Sequence, residues 1–177
     1  MSVHEPGPTT DAGITGSWRV DPTGGHLQFS AKGMWGLANV KGQFSSYDGT
    51  LQVDQSGAAR GELTIAATSL DTKHTKRDAH LRSADFFDVE RHPTIRFTPT
   101  AVATAEDGLT VTGDLEIGDK VAALQLPVTV TPLPDGGLRL HASTSVTRDK
   151  VGLTWNKGGM IRGDAHLDAE LVLNPSV

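Results

Sequence analysis

Apolar and polar residues alternate along most of the chain after residue 16. In one early stretch, the apolar residues Leu27, Phe29 and Ala31 are separated by single polar residues. A period of two residues indicates a β-strand with one buried and one exposed face. The same alternation predicts further strands at the following apolar positions: Leu51 and Val53, Leu63 and Ile65, Ile95 and Phe97, Leu109 to Ile117, Leu124 to Val130, Leu138 and Leu140, and Leu167 to Leu173.

Short segments rich in glycine, aspartate and proline separate these predicted strands. They include YDG at 47–49, EDG at 106–108 and PDGG at 134–137. These residue types favour tight turns, because glycine and aspartate tolerate left-handed backbone and proline presets one turn dihedral. The chain is therefore predicted to form about eight antiparallel strands joined by hairpins.

Residues 70–93 interrupt the alternation. The sequence DTKHTKRDAHLRS predicts a short helix with Asp71 or Thr72 as its N-cap. Only Ala79 and Leu81 would form an apolar face on that helix, which is too little to cover a sheet. A sheet without a helical layer pairs with a second sheet or closes on itself, and closure also removes exposed edges. We therefore predict an all-β fold, an antiparallel barrel of about eight strands with a short helical insertion.

Composition narrows the classes of partner. The 177 residues carry a formal net charge of −5, which provides no general attraction for nucleic acid or for an anionic membrane surface. No segment approaches the ~18 apolar residues that a membrane-spanning helix needs, and the N-terminus has no signal-peptide pattern. We expect a cytoplasmic protein that is not integral to a membrane and has no nucleic-acid partner.

The first residues differ in composition from the rest. Residues 1–14 are rich in proline, glycine and threonine and have few apolar residues that could anchor them. Segments that bury little apolar surface stay disordered. We predict a disordered tail over residues 1–14 and one domain over residues 15–177, long enough to bury a core without disulfides or metals.

The sequence contains no recognised catalytic or metal-binding pattern. Cysteine is absent, which removes thiolate nucleophiles and thiolate metal ligands. His74 and His80 are six positions apart and would lie on different faces of a helix. The HExxH, GxSxG, GxGxxG and phosphate-loop patterns do not occur. We predict no metal site, no catalytic residues and no enzymatic activity.

Several segments resemble one bacterial family. They are SWRVDPTGGHLQFSAK, VKGQFSSYDGTL, SLDT, RDAHLRSADFFDVERHPTIRF, VTGDLEI and RDKVGLTW, in that order between Trp18 and Val172. This order is similar to that of the YceI-like family. The resemblance implies a lipocalin-like antiparallel barrel that binds a long apolar molecule, in several members a polyisoprenoid, and often forms a homodimer. It implies no cofactor other than a bound isoprenoid or other long-chain lipid.

The candidate ligand-binding residues are apolar and concentrate in the segments that carry the resemblance. Aromatic rings and flexible methionine side chains pack well against an apolar ligand of irregular shape. The predicted lining residues are Phe29, Met34, Trp35, Phe44, Leu81, Phe86, Phe87, Ile95, Phe97, Leu115, Leu153, Trp155 and Met160. The candidates for contact with a polar head group are Arg77, Asp78, Arg82 and Arg148, although Arg77 and Asp78 could instead tie the loop down.

Three functions are compatible with this sequence. The first is a protein that sequesters or carries a polyisoprenoid, such as an isoprenoid quinone or a polyprenyl phosphate, in the barrel lumen. The second is a non-catalytic interaction protein with a filled barrel. The third, an enzyme acting on an apolar substrate, has the least support, since no catalytic pattern is present.

Overall fold

Antiparallel strands make up most of the molecule in a computed structural model, which describes residues 13–33, 38–147 and 162–176. Their bounds are β1 Gly16–Val20, β2 His26–Gly33, β3 Ala38–Phe44, β4 Tyr47–Val53, β5 Ala59–Ala66, β6 Leu70–Asp71, β7 Thr94–Ala105, β8 Gly108–Ile117, β9 Lys120–Pro132, β10 Leu138–Val146 and β11 Arg162–Pro175. One helix, α1, spans Thr75–Arg82, and a 3-10 turn spans Ala67–Ser69.

The strands close into a barrel. Eight of them pair in the order β1-β4-β5-β7-β8-β9-β10-β11, and β11 pairs back to β1. Beyond β1, the same strand β11 pairs with β2, which continues through β3 to β6. Three further strands lie outside this closed set: β2 and β3, which continue β1 and β4 after a bend, and the two-residue β6. The predicted eight-stranded antiparallel barrel with one short helical insertion is confirmed.

The bend between β1 and β2 depends on a close backbone approach. Gly25 has a φ of +79°, and a Cβ there would collide with the carbonyl of Glu170 on β11. Only glycine fits such a position without strain. The Tyr47 hydroxyl donates a hydrogen bond of 2.6 Å to the Gly24 carbonyl and holds the bend against β4.

Side chains that seal one end of the barrel are buried. Trp18 donates its indole N–H to the carbonyl of Ile14 at 2.7 Å, and Ile14 is fully buried. Val53, Ala59, Val102, Leu109, Leu138 and Leu173 are buried at the same end. The folded part therefore includes Ile14, inside the predicted tail, whereas residues 1–12 lie outside the described residues.

The middle of the barrel is less completely packed. Inward-facing side chains there, such as Leu124 and Leu126 on β9 and Val111 on β8, pack against the core but are only half-buried. Packed protein interiors leave few voids larger than a water molecule. Partial exposure on the inward face therefore indicates open space lined by apolar side chains.

The helix begins later than the sequence pattern predicts. Its N-cap is His74, whose Nδ1 accepts a hydrogen bond of 3.2 Å from the Arg77 backbone N–H. The prediction of Asp71 or Thr72 as the N-cap is wrong because both are used elsewhere. Asp71 is the last residue of β6, and its carboxylate accepts a hydrogen bond of 2.8 Å from the Lys73 backbone N–H. The backbone N–H of Thr72 donates to the buried Asp78 carboxylate.

Candidate functional site

Residues 72–93, here called the flap, connect β6 to β7 and carry α1. The flap packs on the barrel through Phe87, which is 7% exposed. The Phe87 ring meets the Phe44 ring nearly edge-on, with centroids 5.7 Å apart, and lies 6.5 Å from the Phe29 ring. The Phe29 and Phe44 rings are themselves 5.3 Å apart. Three predicted lining residues thus form one aromatic cluster, a geometry that contributes about 0.5–1.5 kcal/mol per pair beyond burial.

Two glycines within strands make room for inward-facing rings. A Cβ at Gly42 on β3 would collide with the Phe29 ring, and a Cβ at Gly113 on β8 would lie 2.6 Å from Cζ of Phe97. Glycine is depleted in strand interiors and often marks close approach of another group. These two glycines shape the lining. The segments VKGQF and VTGDLEI contained the signal, because each places a glycine inside an otherwise regular strand.

The remaining described lining candidates lie on two surfaces. Ile95 on β7 and Leu115 on β8 are buried, and Phe97, paired across from Leu115, is half-buried on the same inward face. Leu81 and Phe86 are half-buried on the flap, and the Phe86 ring lies edge-on to the His80 ring with centroids 5.2 Å apart. The predicted residues Met34, Trp35, Leu153, Trp155 and Met160 lie outside the described residues, as does Arg148.

The helix of the flap is held by polar contacts. Asp78 is its buried residue, at 7% exposure, whereas Ala79 is exposed, so the expected apolar face of Ala79 and Leu81 does not form. Oδ1 of Asp78 accepts hydrogen bonds from the backbone N–H of Thr72, at 2.9 Å, and from the Thr72 hydroxyl. Buried carboxylates are stable only when hydrogen-bonded in this way.

The three described head-group candidates contact protein groups. Arg77 donates to the Thr72 hydroxyl at 2.8 Å and to the Thr72 carbonyl at 2.7 Å. Arg82 donates to the Leu70 carbonyl at 2.7 Å. Arg82 therefore joins the flap to β6, whereas Asp78 and Arg77 hold α1 against Thr72 at the start of the flap. Their contact with a ligand head group stays a prediction.

Two recesses flank the flap. A groove of about 420 Å³ on the outer side of β2 and β3 is lined mainly by polar residues, among them Gln28, Lys41 and Asp168. A smaller cavity of about 180 Å³ lies between the flap and the β8–β9 turn. Each recess touches the aromatic cluster, the larger groove through Phe29 and the smaller cavity through Phe87. Only the smaller cavity lies between the flap and the end of β8, at the end of the barrel that the flap covers. We therefore place the candidate site at the flap end of the barrel.

On the outer face, one carboxylate lies between two imidazoles. Oδ1 of Asp168 lies 2.7 Å from Nε2 of His26, and Oδ2 lies 3.1 Å from Nε2 of His141. Nδ1 of His26 also lies 3.4 Å from Glu170, which Arg139 contacts at 3.1 Å. The hydrogen bond with His26, and then that with His141, hold the pKa of the Asp168 carboxyl below its ordinary value of 3.8.

This lowered pKa predicts acid-sensitive stability. A carboxyl whose folded pKa is depressed stabilises the fold above its ordinary pKa and loses that contribution as the pH falls through the folded value. The difference in unfolding free energy between the wild type and Asp168→Asn should therefore be largest near pH 5 and shrink below about pH 3.8. Urea titrations from pH 2 to 6 measure this, and a constant difference over that range would contradict it.

Two kinds of feature are absent from the described residues. No helix among residues 13–33, 38–147 and 162–176 is long and apolar enough to cross a membrane. Within the same ranges, no group of three or more histidine, aspartate or glutamate residues could hold a metal ion.

Two bacterial proteins of known sequence are similar to this chain. Protein YceI of Escherichia coli O6:H1 is 37% identical over 108 residues, which cover 59% of this chain and 56% of the relative. Protein YceI of Salmonella arizonae is 34% identical over 113 residues, covering 62% of this chain and 59% of the relative. The matched part thus spans little more than half the length of these curated relatives.

Solved structures share the fold. Burkholderia cenocepacia BcnA superposes with a TM-score of 0.76 and 21% identity, covering 86% of this chain and 98% of that chain. A polyisoprenoid binding domain from Saccharophagus degradans has a TM-score of 0.74 and 16% identity, covering 90% of this chain and 98% of that chain. The model of the YceI-like domain matches residues 18–173. Because that match includes most of the barrel, the chain belongs to the YceI-like family.

Proposed function

We propose that this protein binds a long apolar molecule of the polyisoprenoid class in its barrel and sequesters or carries it. The observation that carries the proposal is the half-buried, inward-facing apolar layer that includes Leu124 and Leu126. Burying a methylene group contributes about 0.8 kcal/mol. An apolar chain would therefore gain by covering side chains that the protein leaves partly exposed.

The two ends of the barrel differ in a way that suits a chain-like ligand. One end is sealed by buried residues such as Trp18, Leu109 and Leu173, whereas the other is covered by the flap, a separate segment. A cavity closed at one end by the strands and covered at the other by a separate segment suits a ligand that lies end-on along the barrel axis. The family supports this role, since the structurally similar S. degradans domain is described as polyisoprenoid-binding.

We propose a binding role and not an enzymatic one. Of the acidic and basic groups on α1, Asp78 and Arg77 are hydrogen-bonded to Thr72, and Arg82 donates to the Leu70 carbonyl of β6. General acid–base chemistry needs a titratable group within hydrogen-bond reach of substrate. The cytoplasmic location and the homodimer stay predictions.

The test is extraction of the purified protein with organic solvent and identification of the extract by mass spectrometry. We expect a long-chain apolar species near one per chain. Ala169 on β11 faces inward opposite Ala142 on β10, so Ala169→Phe should narrow the lumen and reduce the extracted amount. Ala123→Phe places the same ring on the outward face of β9 and is the matched control.

The opposite results would contradict the proposal. If the wild type yields no lipid and added prenyl alcohols do not bind, the barrel is filled and an interaction role replaces the binding role. If Ala123→Phe reduces the yield as much as Ala169→Phe, the extracted lipid lies outside the lumen.

A further inference from the structure

We infer that the 180 Å³ cavity between the flap and the β8–β9 turn receives the polar end of the ligand, and that this end is an uncharged hydrogen-bond acceptor such as a carbonyl or hydroxyl. The inference rests on the proposed function. It names the chemistry of the head group and the residues that meet it, which differ from the candidates that the sequence suggested.

The cavity adjoins the apolar interior through shared side chains. Phe86, Phe87 and Ile117 line it. The Phe87 ring also contacts Phe44 of the inner cluster, and Ile117 packs against the core from the end of β8. A chain lying in the barrel would thus reach this cavity at the flap end. The cavity itself is lined mainly by polar groups and shares Phe87 and Ile117 with the apolar interior.

Hydrogen-bond donors line the cavity from two directions. His92 and Arg91 come from the flap, and Lys120 comes from the turn. The His92 ring lies against the turn, since a Cβ at Gly118 would be 3.7 Å from its Cδ2. Within the described part of the chain, the side chains of His92 and Lys120 make no hydrogen bond or ion pair.

The third donor is weakly engaged. Nε of Arg91 lies 4.0 Å from Oδ2 of Asp88, at the limit of an ion pair, and the Arg91 side chain is 80% exposed. In contrast, Arg77 and Arg82 each donate to a backbone carbonyl at 2.7 Å. Donors that are already satisfied contribute less to a new ligand than donors without a strong partner. The cavity donors are therefore better placed for a head group.

Charge decides the class of head group. Arg91 and Lys120 bring two positive charges to the cavity, and Asp88 and Asp119 bring two negative charges. The formal charges of these four side chains cancel, so a phosphate would meet no net attraction and two nearby carboxylates. Strong phosphate sites use charge-assisted bonds to cations that carboxylates do not offset. An uncharged acceptor gains the hydrogen bonds without that repulsion.

The test compares three probes with the same prenyl chain: the alcohol, its monophosphate and the hydrocarbon without a head group. All three probes are titrated at the same pH. We expect the alcohol to bind about two- to tenfold more tightly than the hydrocarbon, the range of one net hydrogen bond. The monophosphate should bind no more tightly than the alcohol.

Substitutions locate the effect. The triple variant Arg91→Met, His92→Phe and Lys120→Met should abolish the preference for the alcohol while leaving hydrocarbon affinity within about twofold, since only the donor bonds are removed. Lys76→Met removes the same charge from the exposed face of α1, away from the cavity, and should retain the preference. Melting temperatures of the variants check that each one folds.

Each contrary outcome is distinct. A monophosphate that binds more than tenfold tighter than the alcohol, with affinity that falls with salt, would overturn the inference in favour of an anion site. Equal affinities for alcohol and hydrocarbon would overturn it while leaving the proposed function standing, as would a preference that survives in the triple variant. If none of the probes binds, the proposed function fails and the inference fails with it.

Discussion

Replacing Phe87 by alanine is expected to lower the free energy of unfolding by about 3–5 kcal/mol, the usual cost of removing a buried phenylalanine ring. The ring is 7% exposed and meets both Phe29 and Phe44. Its removal leaves a cavity between the flap and the barrel, which neighbouring strands are too constrained to close. Equilibrium urea unfolding of the two proteins measures the difference.

The neighbouring ring provides the matched control. Phe86→Ala should cost clearly less than Phe87→Ala, because Phe86 is half-buried. A double-mutant cycle between Phe44 and Phe87 should give a coupling of about 0.5–1.5 kcal/mol, as expected for an aromatic pair. Equal effects of the two alanine variants, or a coupling near zero, would mean that Phe87 does not anchor the flap.

Affinity for prenyl alcohols is expected to rise about tenfold with each five-carbon unit and then to stop rising. At roughly 0.3 kcal/mol per heavy atom, five carbons contribute about 1.5 kcal/mol, which is about a factor of ten in affinity. The rise must end because buried residues seal the far end of the barrel. The 13 residues of β9 span about 44 Å along the strand, or about 31–36 Å along the axis of a barrel with strands tilted by 35–45°.

The depth of the lumen can be changed at one position. Ala169→Phe places a ring opposite Ala142 and should make the plateau begin at a shorter chain, whereas the outward-facing Ala123→Phe should leave the titration series unchanged. Affinity should change little between low and high salt, since a hydrophobic contact is barely screened. An affinity that does not depend on chain length would contradict binding in the lumen.

The sequence by itself determined most of the secondary structure and which strand side chains face inward. Alternation with a period of two places Phe29, Phe97 and Leu115 on the inner face of their strands because successive side chains of a strand point to opposite sides. The break at residues 70–93 identified the helical insertion, and the paired phenylalanines in it suggested an apolar anchor. These properties are local, so a short stretch of sequence contains them.

Only the tertiary structure decided which of these groups meet. Phe29, Phe44 and Phe87 form one cluster although residues 29 and 87 are far apart in the chain, and Trp18 pairs with Pro175 where the barrel closes. The tertiary structure also decided that α1 begins at Thr75. Thr72 is hydrogen-bonded to the Asp78 carboxylate and therefore does not cap the helix. Alternation shows which face of a strand is buried, but it contains no information on which distant strand or loop will cover that face. That choice depends on long-range pairing and on the space that each side chain finds once the barrel has closed.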